Sequence, residues 1–348
     1  MPCYHPMQVW PGEGTTVNGK RKLVFDKRKT RYPEEPQDIA CGQCIGCRLE
    51  RSRQWATRCL HEASLYEDNC FLTLTFSNEG LALREKQYIK KNKVLTDKGK
   101  EPKDVPSELS IHTPDLQLFM KRLRKAYGQN IRFFACGEYG EKCYYCEQNK
   151  KNCMKSCRLW KPTIGRPHYH LCLFNFNFQD KQQISQTDQG HKVYISDALS
   201  KLWPYGQHTI GQVTFDSAAY VARYIVKKVN GPPQEKHYQI FNKETWELTN
   251  IKPEFTTMSR RPGLGFKWFE KYNQEVYEND YIVINGKKIP APKYYDNQLE
   301  QMDQFHYDEI RDKRLNNTDR QNIDNTPERL AIREKVKKKR IKQLTREV

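Results

Sequence analysis

A chain of 348 residues that is 37% hydrophobic and 12% aromatic has the material for a sizeable core, which excludes wholesale disorder. Sixty Lys and Arg against 42 Asp and Glu leave a net charge of +18, which favours a polyanionic partner, nucleic acid before any other. No apolar run reaches transmembrane length and no signal-peptide core follows Met1, so a soluble, cytoplasmic protein without a membrane partner is expected.

The mean hydropathy of −0.93 implies long solvated segments beside the core. Several of the 12 cysteines stand at short metal-ligand spacings in a long chain, which points to reduced thiols, some on zinc, and away from a secreted disulfide scaffold.

Residues 1–55 are rich in Pro, Gly, Cys and charge without a sustained period and read as an irregular arm. Cys41, Cys44 and Cys47 supply three thiols there, and Cys3 is the remote candidate for a fourth ligand of a structural Zn²⁺; an iron-sulfur cluster is the competing use of such spacing. A helical pattern over 48–66 follows, then a strand at Phe71–Phe76, where apolar and β-branched residues alternate. Residues 77–110, polar and lysine-rich, read as a surface loop. Thr113, Pro114 and Asp115 open a helix whose apolar stripe runs through Leu116, Phe119, Met120, Leu123 and Tyr127 to Gly128.

Strands are expected at 131–136 and 168–176, separated by a cysteine-rich insertion at 141–164. Cys143, Cys146, Cys153 and Cys157 in that insertion could enclose a second structural Zn²⁺, since the segment offers little apolar material to fold around. Cys59, Cys70, Cys136 and Cys172 lie in apolar patterns and read as buried packing. A strand at 212–215 is expected to lead into a helix capped by Asp216 or Ser217. Beyond about residue 230 the pattern fades, and the last 22 residues, from Pro327, carry nine Lys or Arg against three acids, as a basic helix or a disordered tail adding DNA affinity would. The domain reading is therefore an arm at 1–55, a catalytic domain at 56–270 containing the insertion, and a charged extension at 271–348.

His168 and His170 stand two apart on a strand, so both rings leave the same face about 7 Å apart at their origins, close enough to share an ion. Two neutral imidazoles suit Mn²⁺ and related ions, with a carboxylate or a phosphate completing the sphere. Glu138, in a Gly137-Glu138-Tyr139-Gly140 turn, is the candidate third ligand. On spacing alone, two ordinary strand histidines remain an equal reading.

On a helix over 217–229, Tyr220, Tyr224 and Lys227 fall on one stripe, and Ala218, Val221, Ala222, Ile225 and Val229 gather on another. Such a helix can pack on a sheet while presenting two phenols and an ammonium. Phosphodiester transfer needs a nucleophile, stabilisation of charge at phosphorus and a metal to polarise the phosphoryl oxygen, and these residues with the histidines would supply all three. Tyrosines packed at a core edge with wet hydroxyls are the alternative.

The strings Cys41–Arg48, Phe71–Phe76, Gly137–Gly140, Gly165-Arg166-Pro167-His168-Tyr169-His170 and Met258–Gly263, taken in order, resemble replication initiation proteins of gokushoviruses, within the Microviridae. Through them the chain resembles the HUH rolling-circle endonuclease superfamily. The resemblance spans roughly residues 41–263. It implies an α+β fold, a central antiparallel sheet with helices packed on one face as in a ferredoxin-like or RRM-like palm, with cysteine-rich zinc-binding additions.

By position it implies that His168 and His170, with Glu138, bind a catalytic Mg²⁺ or Mn²⁺, that Tyr220 and Tyr224 alternate as nucleophiles, and that Lys227 assists them. The implied activity is nicking of a single-stranded or locally melted DNA origin through a 5′-phosphotyrosine, which leaves a 3′ hydroxyl as primer and allows later rejoining. Arg166, Arg223, Lys228, Arg260 and Arg261 are the expected DNA contacts. In this chain residues 141–164 separate the Gly137–Gly140 and His168 motifs, which run almost together in the family. No Gly-x₄-Gly-Lys-Ser/Thr loop is present, so a host helicase as well as a host polymerase is expected, in a bacterial cytoplasm. A transposase or relaxase of the same chemistry, or a noncatalytic zinc-containing DNA-binding protein, are the alternative functions.

Overall fold

The computed structural model describes residues 3–16, 21–102, 105, 107, 110–140, 165–187, 190–227, 237–242, 246–318 and 325–343; the side chains of 224–227, 317–318 and 342–343 are outside the description. The insertion with Cys143, Cys146, Cys153 and Cys157, and Lys228, therefore lie outside the described residues. The chain divides into two units, one of residues 1–53 with 296–346 and one of residues 54–295 with the last two residues.

The first unit begins with β1 (Met7–Thr15), β2 (Arg21–Val24) and β3 (Gln37–Ile39), an antiparallel sheet in the order β2-β1-β3. This replaces the irregular arm expected for 1–55. The strands are short, carry Pro11, Gly12 and Gly14, and bury only Val9 with the adjacent Pro11 and Gly12, so no period of two is visible in the sequence. Helix α1 (Ile45–Ala63) begins in this unit, and the division falls after Arg53.

The second unit is built on β4 (Asn69–Thr75), which lies mid-sheet. The 77–110 loop is instead largely α2 (Asn78–Asp97), capped by Ser77, whose hydroxyl accepts from the Gly80 amide. Its buried stripe, Gly80, Leu81, Arg84 and Tyr88, has helical spacing but includes a buried arginine paired with Asp115, which disguised it. Helix α3 (Thr113–Tyr127) falls where its pattern predicts.

The sheet continues through β5 (Arg132–Tyr139), β6 (Pro167–Phe174), β7 (Gln182–Gln186) and β8 (Lys192–Ile195). Then follow α4 (Asp197–Leu202), β9 (His208–Gly211), α5 (Phe215–Lys227), β10 (Gln239–Phe241), β11 (Leu248–Asn250) and β12 (Phe255–Met258). The seven strands of the large sheet run in the order β12-β5-β6-β4-β9-β8-β7, every pair antiparallel. The strand expected at 212–215 lies earlier, at β9. Helix α5 is capped by neither Asp216 nor Ser217 but by Thr214, whose hydroxyl accepts from the Ser217 amide while Ser217 Oγ accepts from the Thr214 amide.

The α+β class and the antiparallel sheet agree with the sequence reading, but helices cover both faces of the sheet, not one. Cys70, Leu72 and Leu74 of β4 with Tyr169, Leu171 and Leu173 of β6 pack on one side against α3 and α4. Phe71, Phe134, Cys136, Cys172 and Phe174 point to the other side, under Ala56 and Cys59 of α1 and Ala218, Val221 and Ala222 of α5. Central strands apolar on both faces cannot leave either in water. Cys59, Cys70, Cys136 and Cys172 are all buried in these cores, as their patterns predict.

The unit ends with α6 (Phe266–Asn279), the hairpin β13 (Ile282–Ile284) and β14 (Lys287–Ile289), and the start of α7 (Lys293–Met302). Asn285 and Gly286 turn the hairpin, both at positive φ, the conformation a two-residue turn of this hand requires. Helices α8 (Gln304–Thr318) and α9 (Pro327–Gln343) return to the first unit; the basic C-terminal segment is thus helical. No helix among the described residues is long and apolar enough to cross a membrane.

Candidate active site

Antiparallel pairing aligns the site in rows. On the face under α5, Thr75, His168 and Glu138 stand side by side across β4, β6 and β5; the next row is Thr73, His170 and Cys136, and the next Phe71, Cys172 and Phe134. The face grades from apolar to polar along the strands, and the polar end holds the ligands. Glu138 is therefore in β5, not in a turn after it. Gly137 is needed there because a Cβ would come within 2.7 Å of the Phe255 ring and 3.0 Å of Tyr169. Since strand register sets Glu138 opposite His168, the insertion between the two motifs leaves their alignment intact.

His168 Nε2 lies 2.5 Å and His170 Nε2 2.8 Å from one oxygen, Glu138 Oε1, and the Tyr220 hydroxyl donates to the same oxygen at 3.1 Å. The His168 and His170 rings meet edge to face at 4.9 Å, as do those of His170 and Tyr220 at 5.0 Å. Phe71 stacks on His170 at 5.6 Å. Glu138 and His170 are buried and His168 is half-buried. Burial pushes the Glu138 carboxyl up, but hydrogen bonds and positive charge from His168 and His170, when their Nε2 atoms carry protons, outweigh it and hold the group at about 2; a cation held by the same atoms acts in the same direction. It is a carboxylate at neutral pH.

The outer nitrogens decide what this trio can hold. His168 Nδ1 is 3.0 Å from the Arg166 carbonyl, which can only accept, so Nδ1 carries the proton. In the neutral ring, the Nε2 lone pair then faces a carboxylate oxygen, an arrangement that repels unless a cation lies between them. His170 Nδ1 is likewise 3.0 Å from the Thr73 hydroxyl, an available acceptor. The three ligand atoms, all within 4.8 Å of one another, offer two nitrogens and one oxygen, a set that suits Mn²⁺ and, once phosphate and water oxygens are added, Mg²⁺.

A family model described as replication-associated protein ORF2/G2P matches residues 148–229, the stretch that contains β6 and α5. The replication-associated protein VP4 of Bdellovibrio phage phiMH2K is 29% identical over 85% of this chain and 76% of its own length. Replication-associated protein ORF2 of Spiroplasma virus 4 is 29% identical over 90% and 86%. Replication-associated protein ORF4 of Chlamydia phage 1 is 25% identical over 76% and 54%. The chain is a homologue of these phage replication-associated proteins. No solved structure matches it.

Within this homologue, α5 lies against β5, β6 and β12, with Ala218 and Ala222 small enough to admit a close approach. The side chains of Tyr224 and Lys227 fall outside the described residues. Arg166 donates from Nη1 to the Phe76 carbonyl at 3.0 Å, tying the strand that carries the histidines to the end of β4; Arg223 is half-buried on α5. Arg260 and Arg261 are exposed on a loop beyond β12, fixed by the Ser259 amide on the Phe133 carbonyl and Arg132 Nη2 on the Pro262 carbonyl. That loop sits at the opposite end of β5 from Glu138, about 16 Å away at the rise of a strand.

Two groups at the site had no role in the sequence reading. Thr73 was visible as a polar residue alternating with buried leucines. Tyr169, between the histidines, points to the other face, where its hydroxyl donates to Asp115 at 2.7 Å and accepts from the His112 amide at 2.9 Å. No local signal marks Tyr169, because its partners are more than 50 residues away.

A second ligand cluster lies in the first unit, where the sulfurs of Cys3, Cys41, Cys44 and Cys47 are all within 4.8 Å of one another. The Cys3–Cys44 and Cys41–Cys47 separations, 3.9 and 4.0 Å, are far too long for disulfides. They are close to the roughly 3.8 Å edge of a tetrahedron with ~2.3 Å zinc–sulfur bonds. Backbone amides already point at the sulfurs: Tyr4 to Cys44, Cys41 to Cys3 and Cys44 to Cys41, each at 3.3 Å. Burial opposes ionisation of Cys44, but the amides of Cys47 and Tyr4 and the neighbouring thiols outweigh it and bring that thiol to about 6.

Proposed function

We propose that this protein initiates phage DNA replication by nicking a single-stranded or locally melted origin with Tyr220, in an HUH-type domain over residues 56–270. The observation that carries the reading is the convergence of His168, His170 and the Tyr220 hydroxyl on one carboxylate oxygen of Glu138. The names of the homologues supply the context of replication.

Glu138, His168 and His170 would hold Mg²⁺ or Mn²⁺, which when bound polarises a phosphoryl oxygen and offsets the charge that develops on it. Thr73 and the Arg166 carbonyl keep both rings oriented, with Nε2 toward the ion. The Tyr220 phenol oxygen attacks phosphorus, the bond from phosphorus to the 3′ oxygen breaks, and the strand stays joined to the protein through its 5′ phosphate. The proton lost by the phenol is balanced by the one gained at the 3′ hydroxyl, which then primes synthesis. Tyr224, one turn along α5, is the second nucleophile in this scheme and Lys227 its aid. Rejoining reverses the same bond changes and needs no nucleotide, while strand separation and synthesis fall to a helicase and polymerase of the bacterial host, in its cytoplasm. Cys3, Cys41, Cys44 and Cys47 hold a structural Zn²⁺, and Cys143, Cys146, Cys153 and Cys157 a second. Arg166, Arg223, Lys228, Arg260 and Arg261 contact the strand.

The test uses labelled single-stranded oligonucleotides tiling the genome from which the chain comes, with Mn²⁺ or EDTA, read on denaturing gels with mass spectrometry of the adduct. A metal-dependent adduct on Tyr220, lost in His170→Ala, is expected. If the whole tiling yields no adduct while DNA binding persists, the protein is a noncatalytic DNA-binding protein.

A further inference from the structure

Helix α9 is the most basic element of the first unit, with eight Lys and Arg against two Glu over Pro327–Gln343. It is not a free tail. Leu330 is 5% exposed and packs with Tyr4 and Cys44, with Cys3, Cys41, Ile45 and Cys47 around them, so the four-cysteine cluster forms its seat. One turn on, Glu334 pairs with His5 Nε2 at 3.0 Å and Lys338 Nζ at 3.1 Å.

These contacts fix which side of the helix faces inward. At 100° per residue, Leu330, Glu334, Lys337 and Ile341 share one stripe; Lys335 and Lys339 fall on the opposite one with Ile332 and Val336 next to them, and Arg340 lies on the flank, about 100° round from Lys339. Lys335, Lys339 and Arg340 are exposed, as are Ile332 and Val336. Like charges one turn apart cost a few tenths of a kcal/mol each, and the one acid of the helix beyond its first turn, Glu334, is turned toward His5. The outer face is thus basic by construction. Its two apolar residues interleave with lysines, whereas a helix lying in a membrane surface segregates them.

We propose that the outer face of α9 is a sequence-independent surface for the phosphates of a DNA strand, oriented by the four-cysteine cluster beneath Leu330. The choice of DNA rests on the proposed role in replication. The surface would hold the strand without reading its bases, as phosphate contacts do.

The test uses the full chain purified with zinc, a mixed-sequence 30-nucleotide strand, fluorescence anisotropy across a salt series, and amide exchange over 327–343. In Lys335→Gln/Lys339→Gln/Arg340→Gln, loss of three phosphate contacts should lower the slope of log affinity against log salt by about 2 and weaken binding about tenfold at 150 mM salt. Exchange over α9 should not change, and adduct formation on a saturating origin strand should stay at the wild-type level. Leu330→Asp, or removal of zinc with a chelator, should abolish the protection of α9. An unchanged salt slope in the triple variant overturns the DNA surface. So does binding to phosphatidylglycerol vesicles that the triple variant loses while DNA binding persists. Protection of α9 that survives both chelation and Leu330→Asp overturns the role of the cysteines. A wild-type chain that binds through α9 yet forms no adduct would instead count against the nickase alone.

Discussion

The two ligand clusters are built by opposite means. Glu138 and His168 are neighbours across two strands of a seven-stranded sheet, His170 is one pleat further on, and each ring has a second partner on its outer nitrogen. Cys3, Cys41, Cys44 and Cys47 come from a terminal segment, a loop and the first turn of α1, with a three-residue apolar cluster of Tyr4, Cys44 and Leu330 around them. Sheet register holds the first trio whether or not an ion is present, whereas the second, with little apolar packing of its own, would depend on the proposed ion to hold four thiols together. The chemistry follows the construction: three mixed ligands beside a hydroxyl leave coordination positions for a substrate, and four sulfurs leave none.

The largest effect expected from this contrast is on stability. Cys41→Ser, or chelation, should cost the first unit on the order of 10 kcal/mol of metal-coupled folding energy. Amide exchange should then become fast over 3–47 while β4, β5 and β6 keep their protection, and native mass spectrometry should lose one zinc. Equal loss of protection in both units would show that the cysteines support the whole molecule.

The reverse experiment targets the sheet site. His170→Ala should leave the far-ultraviolet circular dichroism unchanged and lower adduct formation about a thousandfold, or about 4 kcal/mol of transition-state stabilisation. An adduct rate within tenfold of wild type would remove the metal from the reaction.

The sequence disclosed these two clusters unequally, for physical reasons. Helix α3 and strand β4 were legible because their apolar periods are uninterrupted, and the histidine pair because two-residue spacing on a strand has one geometric meaning. Glu138 was legible as a candidate but not as a strand residue: Gly137 and Gly140 read as a turn, and Gly137 is explained only by the Phe255 and Tyr169 rings that fill its Cβ position. Cover on both faces was readable in Phe71, Cys172 and Phe174, yet the resemblance pointed to one face. Helix α2 was hidden by Arg84, whose partner Asp115 lies 31 residues away. The β13–β14 hairpin, by contrast, carried an Asn285-Gly286 signal after the β-branched run Ile282–Ile284, but neither flank alternates, and it was missed where the pattern fades.

A third imidazole sharpens the contrast between rings used as ligands and rings used as packing. His61 is buried, stacks on Trp268 at 3.4 Å between centroids, and pairs through Nδ1 with the Tyr295 hydroxyl at 2.9 Å. Burial pulls its pKa down to about 3. The folded protein keeps His61 neutral where the unfolded chain, near 6.5, takes up a proton, so its contribution is full above about pH 6.5 and is lost as pH falls toward 3. By pH 4.5 the loss relative to neutral and higher pH is about 2.7 kcal/mol at 1.36 kcal/mol per unit. Urea unfolding followed by tryptophan fluorescence should show it, and His61→Phe should flatten the dependence. A slope as steep in His61→Phe would assign the acid sensitivity to other groups.

The smallest effect tests the orienting hydroxyl. Thr73→Val keeps the shape of the side chain in β4 but removes the partner of His170 Nδ1, freeing the ring to change tautomer and tilt while Glu138 and His168 stay in place. Loss of such a partner typically costs metal affinity tenfold or more. The Mn²⁺ concentration that gives half-maximal adduct formation should therefore rise about tenfold, with the rate at saturating Mn²⁺ within a few-fold of wild type, and Thr73→Ser should recover most of the affinity. A fall in the saturating rate with unchanged Mn²⁺ dependence would mean that Thr73 acts on the DNA and not on the imidazole.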